Sequence, residues 1–225
     1  MTYVISDIHG CYDKYIKMLD LIELSDKDTL YVLGDVIDSG PDGIRILFDM
    51  MKRKNVIPII GNHESMALGV MRISSNGLTD VSFKNAYITW MYNGGAPTLE
   101  AFMALVMEKR REIRNYIDSF MIYATLTVGG RNFHLSHTLP EYNPQRDIHD
   151  VTYLEFIWGE PDYEKVYDES TLFVTGHTPT GFIDPEYEGK IYMKNNHIAI
   201  DCGAVFDNGR LACIRLDDLH EFYSL

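Results

Sequence analysis

Apolar and polar positions along the first third of the chain follow a strand and helix rhythm. Apolar runs at 3–5, 30–33 and 56–60 read as strands, and amphipathic stretches at 13–24 and 41–54 read as helices between them. A βαβαβ order of this kind sets parallel strands side by side under helices, and ligands gather beyond the carboxyl ends of such strands. From Ser65 to about Ser119 the pattern turns helical and carries Met66, Met71, Trp90, Tyr92, Met103 and Met107. Ordinary core packing accounts for these residues better than a cofactor box, and the segment reads as a helical insertion or cap. Beyond it, runs at 121–128 and 132–136 flank Gly129-Gly130, a hairpin signal. Runs at 172–175, 191–193, 198–201 and 211–216, with an Asn208-Gly209 turn, are expected to complete a second, antiparallel sheet. No repeat or linker interrupts the 225 residues, so a single domain over 1–225 is expected, with an insertion at about 65–119.

The residues that follow the strands change the picture from fold to chemistry. Asp7-Ile8-His9-Gly10 follows the first strand, Gly34-Asp35-Val36-Ile37-Asp38 the second and Gly61-Asn62-His63-Glu64 the third. Asp7 and His9 are two apart, so a regular strand would turn both to one side. His137 and Gly176-His177-Thr178-Pro179 end two later strands. A lone histidine is more often a structural residue than a ligand, yet all of these occupy one topological station. Carboxylate, imidazole and amide oxygen together suit divalent ions such as manganese, iron or zinc, with no thiolate among the candidates. Cys11 reads as packing.

Taken together, these motifs resemble the signature of calcineurin-like metallophosphoesterases, in their phosphoprotein phosphatase branch. Trp90-x-x-Asn93-Gly94-Gly95 also resembles bacterial and phage members of that branch. The resemblance implies an α/β fold of mixed α+β character, a four-layer sandwich of two packed β-sheets flanked by helices. It further implies two divalent metal ions, with manganese favoured over iron or zinc. Asp7 and His9 would bind the first ion, Asp35 would bridge both, and Asn62, His137 and His177 would bind the second. His63 would stay free of metal and protonate the leaving oxygen, while Asp38 holds its imidazole oriented. Asp201-x-Gly203 resembles a further family segment, to which a structural role is assigned.

Two positions depart from the family pattern. Members usually place an arginine where this chain has Ser39, and a second one after a tryptophan, where Trp158 here precedes Gly159-Glu160. Losing two charge-assisted hydrogen bonds would cost roughly 3 to 6 kcal/mol if nothing replaced them. The substrate-facing candidates are therefore Asn62, Ser39 and Arg146, with Asn93 and the Gly94-Gly95 backbone as another possible cradle. Against these stand simpler readings, Arg146 as a solvated loop residue and Gly94-Gly95 as a turn.

Charge narrows the partners. With 20 basic and 33 acidic residues the formal charge is -13, which repels nucleic-acid backbones and anionic membranes at long range. Bound cations would reverse that potential locally, so a phosphorylated substrate remains compatible. The longest apolar-leaning stretch, 120–128, falls short of the roughly 20 residues needed to span a bilayer. Cys11, Cys202 and Cys213 form no disulfide framework, and the start shows no export pattern, so a cytoplasmic location is expected. A zinc-protease helix, a Gly-x-Ser-x-Gly elbow and a thiol-phosphatase loop are all excluded by spacing. The expected activity is hydrolysis of phosphomonoesters, on phosphoserine or phosphothreonine in proteins. The alternatives are a dinucleoside polyphosphate hydrolase and a metal-containing binding protein that has lost catalysis.

Overall fold

A computed structural model describes residues 1–74, 81–147 and 150–225; residues 75–80, inside the expected insertion, lie outside the described residues. Strands β1 (Thr2–Ile5), β2 (Thr29–Leu33) and β3 (Val56–Ile59) run parallel, joined by helices α1 (Tyr12–Leu21) and α2 (Gly43–Met50). The side-chain period of two splits β1 between faces: Tyr3 and Ile5 meet the helices, and Val4 meets the other sheet. On the helical side, α1 buries Tyr15, Met18 and Leu19, and α2 buries Ile44, Ile46, Leu47 and Met50, each at helical spacing.

Four helices follow, α3 (Asn62–Ser74), α4 (Val81–Tyr92), α5 (Ala96–Ala104) and α6 (Met107–Asp118). Of the apolar residues expected to pack there, Trp90 and Met71 are buried, whereas Tyr92, Met103 and Met107 are exposed. The core-packing expectation therefore holds for only part of that set.

Strands β4 (Tyr123–Val128) and β5 (Arg131–Ser136) form the anticipated hairpin around Gly129-Gly130. The second sheet is mixed rather than antiparallel. Strand β6 (Thr171–Thr175) lies parallel to β5, and β8 (His197–Ala199) lies parallel to β6. Parallel neighbours need a crossover, and the chain between β5 and β6 supplies one that carries α7 (Tyr153–Trp158). A short helix α8 (Thr180–Ile183) follows β6. Strand β7 (Tyr192–Lys194) hairpins onto β8 through Asn195 and Asn196, both left-handed at φ 52 and 62, as a primed turn requires.

The run at 211–216 was expected in this second sheet and belongs to the first. Strand β9 (Leu211–Arg215) pairs antiparallel with β1, Ile5 opposite Cys213, and β10 (His220–Ser224), which the pattern did not suggest, pairs with β9 at the edge. The sheets are thus five-stranded each, ordered β10-β9-β1-β2-β3 and β4-β5-β6-β8-β7. They pack face to face through Val4, Leu33, Ile59 and Ile214 on one side and Phe133, Leu135, Val174 and Ile198 on the other. Helices cover the outer faces, α7 reaching the second sheet through Phe156 against Phe173. The four-layer expectation is met.

Candidate metal centre

The strand ends at one edge of this sandwich feed the loops that carry Asp7, His9, Asp35, Asp38, His137 and His177, and the first turn of α3, which carries Asn62 and His63. Asp7 and His9 lie beyond the end of β1, and both backbones are left-handed, with φ of 50 and 45. A strained loop, not strand alternation, therefore aims them, which corrects the pleat argument. Asp35, Asp38, Ser39 and His177 share that conformation, with φ of 50, 70, 63 and 67. Each such residue costs on the order of 1–3 kcal/mol and persists only where its surroundings hold it.

Those surroundings are backbone pairing and one carboxylate. His9 N–H donates to the Asp35 carbonyl at 2.8 Å, and Gly10 N–H to that of Val36 at 2.9 Å, tying the first two loops together. The buried Glu64 carboxylate accepts from the backbone N–H groups of Asp35 (2.9 Å), Val36 (2.8 Å), Ile37 (3.3 Å) and Gly61 (3.1 Å). Gly34 is left-handed, and a Cβ there would sit 2.5 Å from Gly61 Cα, so only glycine lets these two loops touch.

The donor atoms then converge. His137 Nδ1 donates to the Leu33 carbonyl at 2.7 Å, which turns the Nε2 lone pair toward Asp35 Oδ2 at 3.5 Å and His177 Nδ1 at 3.1 Å. His9 Nδ1 donates to the Ile37 carbonyl at 3.2 Å, leaving Nε2 3.7 Å from the same Asp35 oxygen. The Asn62 side-chain amide lies 2.9 Å from His137 Nε2; with its nitrogen turned inward it donates there and to the Asp35 carboxylate at 3.1 Å, and with its oxygen turned inward it would offer a neutral ligand to a cation. His9, Asp35 and His63 form one group that could hold an ion, and Asp35, His137 and His177 another, so Asp35 stands in both. Asp7 lies beside them, its carboxylate accepting from His177 N–H at 3.0 Å and from the Ser6 hydroxyl.

Electrostatics point the same way. Burial pushes His9, His137 and His177 down, His177 to about 4, which keeps these imidazoles in the neutral form that ligates metals. Burial, with the charges of Asp201 and Asp35, drives Asp7 well above the usual carboxylate range, and burial lifts Asp201 to about 7. Among the described residues, no lysine or arginine lines the cleft to offset these acids. The chemistry of the donor set therefore fits divalent cations.

His63 has a different setting. Its Nδ1 meets Asp38 Oδ2 at 2.8 Å, and the same oxygen accepts from the Trp90 indole at 2.7 Å. Burial would lower the His63 pKa, but Asp35 and Asp38 outweigh it and lift it to about 9. Trp90 and Glu64 are the residues that sequence reasoning passed over. Trp90 reads as packing in the sequence, and the four residues of Gly61-Asn62-His63-Glu64 hide a buried carboxylate whose hydrogen-bond partners are backbone N–H groups.

Of the substrate-facing candidates, Asn62 and Asn93 line the cleft with Trp158 and Phe206. Ser39 is not among the lining residues; it is exposed, and its N–H donates to the carbonyl of Gly94, the neighbour of Asn93, at 2.9 Å. Gly94 and Gly95 serve as the turn into α5, with Gly95 packed over the Trp90 ring. Arg146 is not brought to the site. It pairs with Glu155, donates to the Asp150 carbonyl and lines a separate cavity, because the α7 capping region supplies a carboxylate closer by.

The profile for calcineurin-like phosphoesterase matches residues 2–208. Among curated proteins, the chain is similar to a symmetrical bis(5'-nucleosyl)-tetraphosphatase of Wigglesworthia glossinidia brevipalpis, 44% identical over 64 residues, 28% of this chain and 24% of that one. The homologous enzyme of Salmonella paratyphi B is 38% identical over 71 residues, 31% of this chain and 25% of its own length. The matched stretch thus spans about a quarter of these relatives. Among solved structures, a candidate diadenosine tetraphosphatase superposes with a TM-score of 0.69 at 17% identity, covering 99% of this chain and 91% of the other. A protein serine/threonine phosphatase from Saccharomyces cerevisiae superposes with a TM-score of 0.60 at 11% identity, over 99% and 78% of the two chains.

Proposed function

The chain belongs to the calcineurin-like phosphoesterase family, and from that premise we propose that it is a metal-dependent hydrolase of dinucleoside polyphosphates. The observation that carries the catalytic part is His63, whose Nδ1 is taken up by Asp38 at 2.8 Å while its ring stands beside His9 and Asp35 at the convergent donor set. A protein that merely stored metal would need neither His63 nor Asp38, so the reading as a binding protein without catalysis is disfavoured.

Asp7 and His9 would hold one divalent ion, Asn62, His137 and His177 the second, with Asp35 between. When bound, such a pair supplies Lewis-acid charge that polarises the phosphoryl group and its attacking water. The chain's own residues do the rest. His137 and His9 keep their ligating nitrogens aimed inward through the Leu33 and Ile37 carbonyls. His63 Nε2 faces the cleft, 3.8 Å from Asp35 Oδ2, and delivers its proton to the leaving phosphate oxygen. Asp38 and Trp90 fix that imidazole's tautomer and direction, and Glu64 holds the loop that presents Asp35.

The substrate rests on the relatives named bis(5'-nucleosyl)-tetraphosphatase, which favour dinucleotides over the phosphoserine and phosphothreonine expected at first. The Trp90-x-x-Asn93-Gly94-Gly95 segment no longer decides between them. Its tryptophan supports the general acid, a duty independent of the substrate. Turnover of diadenosine tetraphosphate, p-nitrophenyl phosphate and a phosphothreonine peptide under manganese tests the reading. Diadenosine tetraphosphate should give the highest kcat/KM; a preference for the peptide would reverse the assignment.

A further inference from the structure

The metal cleft has a volume of about 230 Å³, below the roughly 300–1,000 Å³ of sites that enclose whole small molecules. It takes a phosphoryl group and its neighbours, and the remainder of a nucleotide must lie elsewhere. A groove of about 760 Å³ adjoins it, and Pro179, Gly203 and Phe206 line both spaces.

Two phenylalanines face that groove with large exposure, Phe182 at 79% and Phe206 at 53%. Scattered exposed aromatics are ordinary. Phe206, however, stands on a braced loop. Lys14 Nζ donates to the carbonyls of Ala204 at 2.8 Å and Gly209 at 2.7 Å, clamping the loop at both ends. Phe206 N–H donates to the Gly203 carbonyl, and Gly209 N–H to that of Phe206, both at 2.9 Å. Gly203 is left-handed, and a Cβ there would come 2.7 Å from the Phe206 ring, so the glycine makes room for it. The loop is tied back to the metal centre as well, since the buried Asp201 carboxylate accepts from Gly203 N–H at 2.9 Å. An apolar ring is thus held in water at a fixed position on the rim of the site.

The groove's charge says what would cover it. Among the described residues its lining has one cation, Arg210, against Glu188 and Asp207, so it does not gather a phosphate chain. Aromatic faces with carboxylate and amide acceptors suit a neutral, amino-bearing ring. Building on the proposed dinucleotide substrate, we propose that this groove is the nucleoside subsite, with a base stacked on Phe206 and Phe182 while the phosphates reach the metals past Gly203.

The test uses the full, manganese-loaded chain and its Phe206→Ala and Phe206→Trp variants, checked for unchanged circular dichroism. ADP binding is read by calorimetry, and KM is read for diadenosine tetraphosphate and for inorganic tripolyphosphate, which has no base. Removing a base–aromatic stack weakens binding about tenfold, so Phe206→Ala should lose about ten times more affinity for ADP and for the dinucleotide than for tripolyphosphate, and Phe206→Trp should regain it. Equal losses for all ligands, no loss for ADP, or a wild-type chain that binds no ADP would overturn the subsite. A wild-type chain that hydrolyses tripolyphosphate but not diadenosine tetraphosphate would overturn the substrate reading instead, and the ADP measurement would still decide the groove.

Discussion

Trp90 donates its indole N–H to Asp38 Oδ2 at 2.7 Å, the oxygen that also orients His63. A buried tryptophan on α4 is therefore the support of a carboxylate on the loop after β2. Trp90→Phe keeps most of the volume and removes the donor. Groups that orient a working side chain typically matter 10- to 100-fold, so kcat should fall about tenfold while the bound metal content stays at the wild-type value. Steady-state kinetics beside elemental analysis on the same sample checks this; a parallel fall in metal would make the indole a structural prop for the whole centre.

His63→Asn should separate chemistry from metal binding. General-acid groups contribute about 10²–10⁴ in rate, and kcat should drop by that factor with both ions retained. The largest effect belongs to substrates with poor leaving groups, because they depend most on the delivered proton. Unchanged turnover would remove His63 from the mechanism.

Glu64 bears on stability more than on rate. Its carboxylate accepts four backbone N–H groups from the loops after β2 and β3. Glu64→Ala leaves those donors buried without partners, at a cost of about 3 kcal/mol. At about 2–4 °C per kcal/mol for a chain of this size, calorimetry should show Tm lower by roughly 6–12 °C. A Tm within a degree of wild type would mean that water replaces the carboxylate.

Ser39 is exposed next to Gly94, at the position where the family pattern has an arginine. Ser39→Arg should raise kcat/KM on p-nitrophenyl phosphate by about tenfold, in line with roughly 1.5–3 kcal/mol for a charge-assisted bond. The described residues that line the cleft include no lysine or arginine, which makes this gain available. A neutral result would mean that the metals alone saturate phosphate binding.

The placement of the candidate centre was legible because its residues follow apolar strands: Asp7, His9, Asp35, Asn62, His137 and His177 come after β1, β2, β3, β5 and β6, at the same edge of the two-sheet sandwich. Strand partnership was not legible. The run at 211–216 looks like any strand, and only the burial of Ala212 and Ile214 against the second sheet, with Cys213 against the helices, sets it beside β1. β10 alternates weakly because it is an edge strand with His220 and Glu221 in water. Arg146 illustrates a different limit. A sequence counts cations but does not show that Glu155, nine positions away, already holds this one. Trp90 and Glu64 were hidden because their work lies in contacts with a distant carboxylate and with backbone, neither of which has a local pattern.

The most direct test of the account is a metal count on the wild-type chain and on Asp35→Asn, by elemental analysis after manganese loading and gel filtration, with activity measured on the same fractions. The account requires about two manganese ions per wild-type chain, and in the variant loss of bound metal together with loss of hydrolysis. A wild-type chain that hydrolyses phosphoesters with no bound metal, or an Asp35→Asn variant that keeps both ions and full rate, would contradict it.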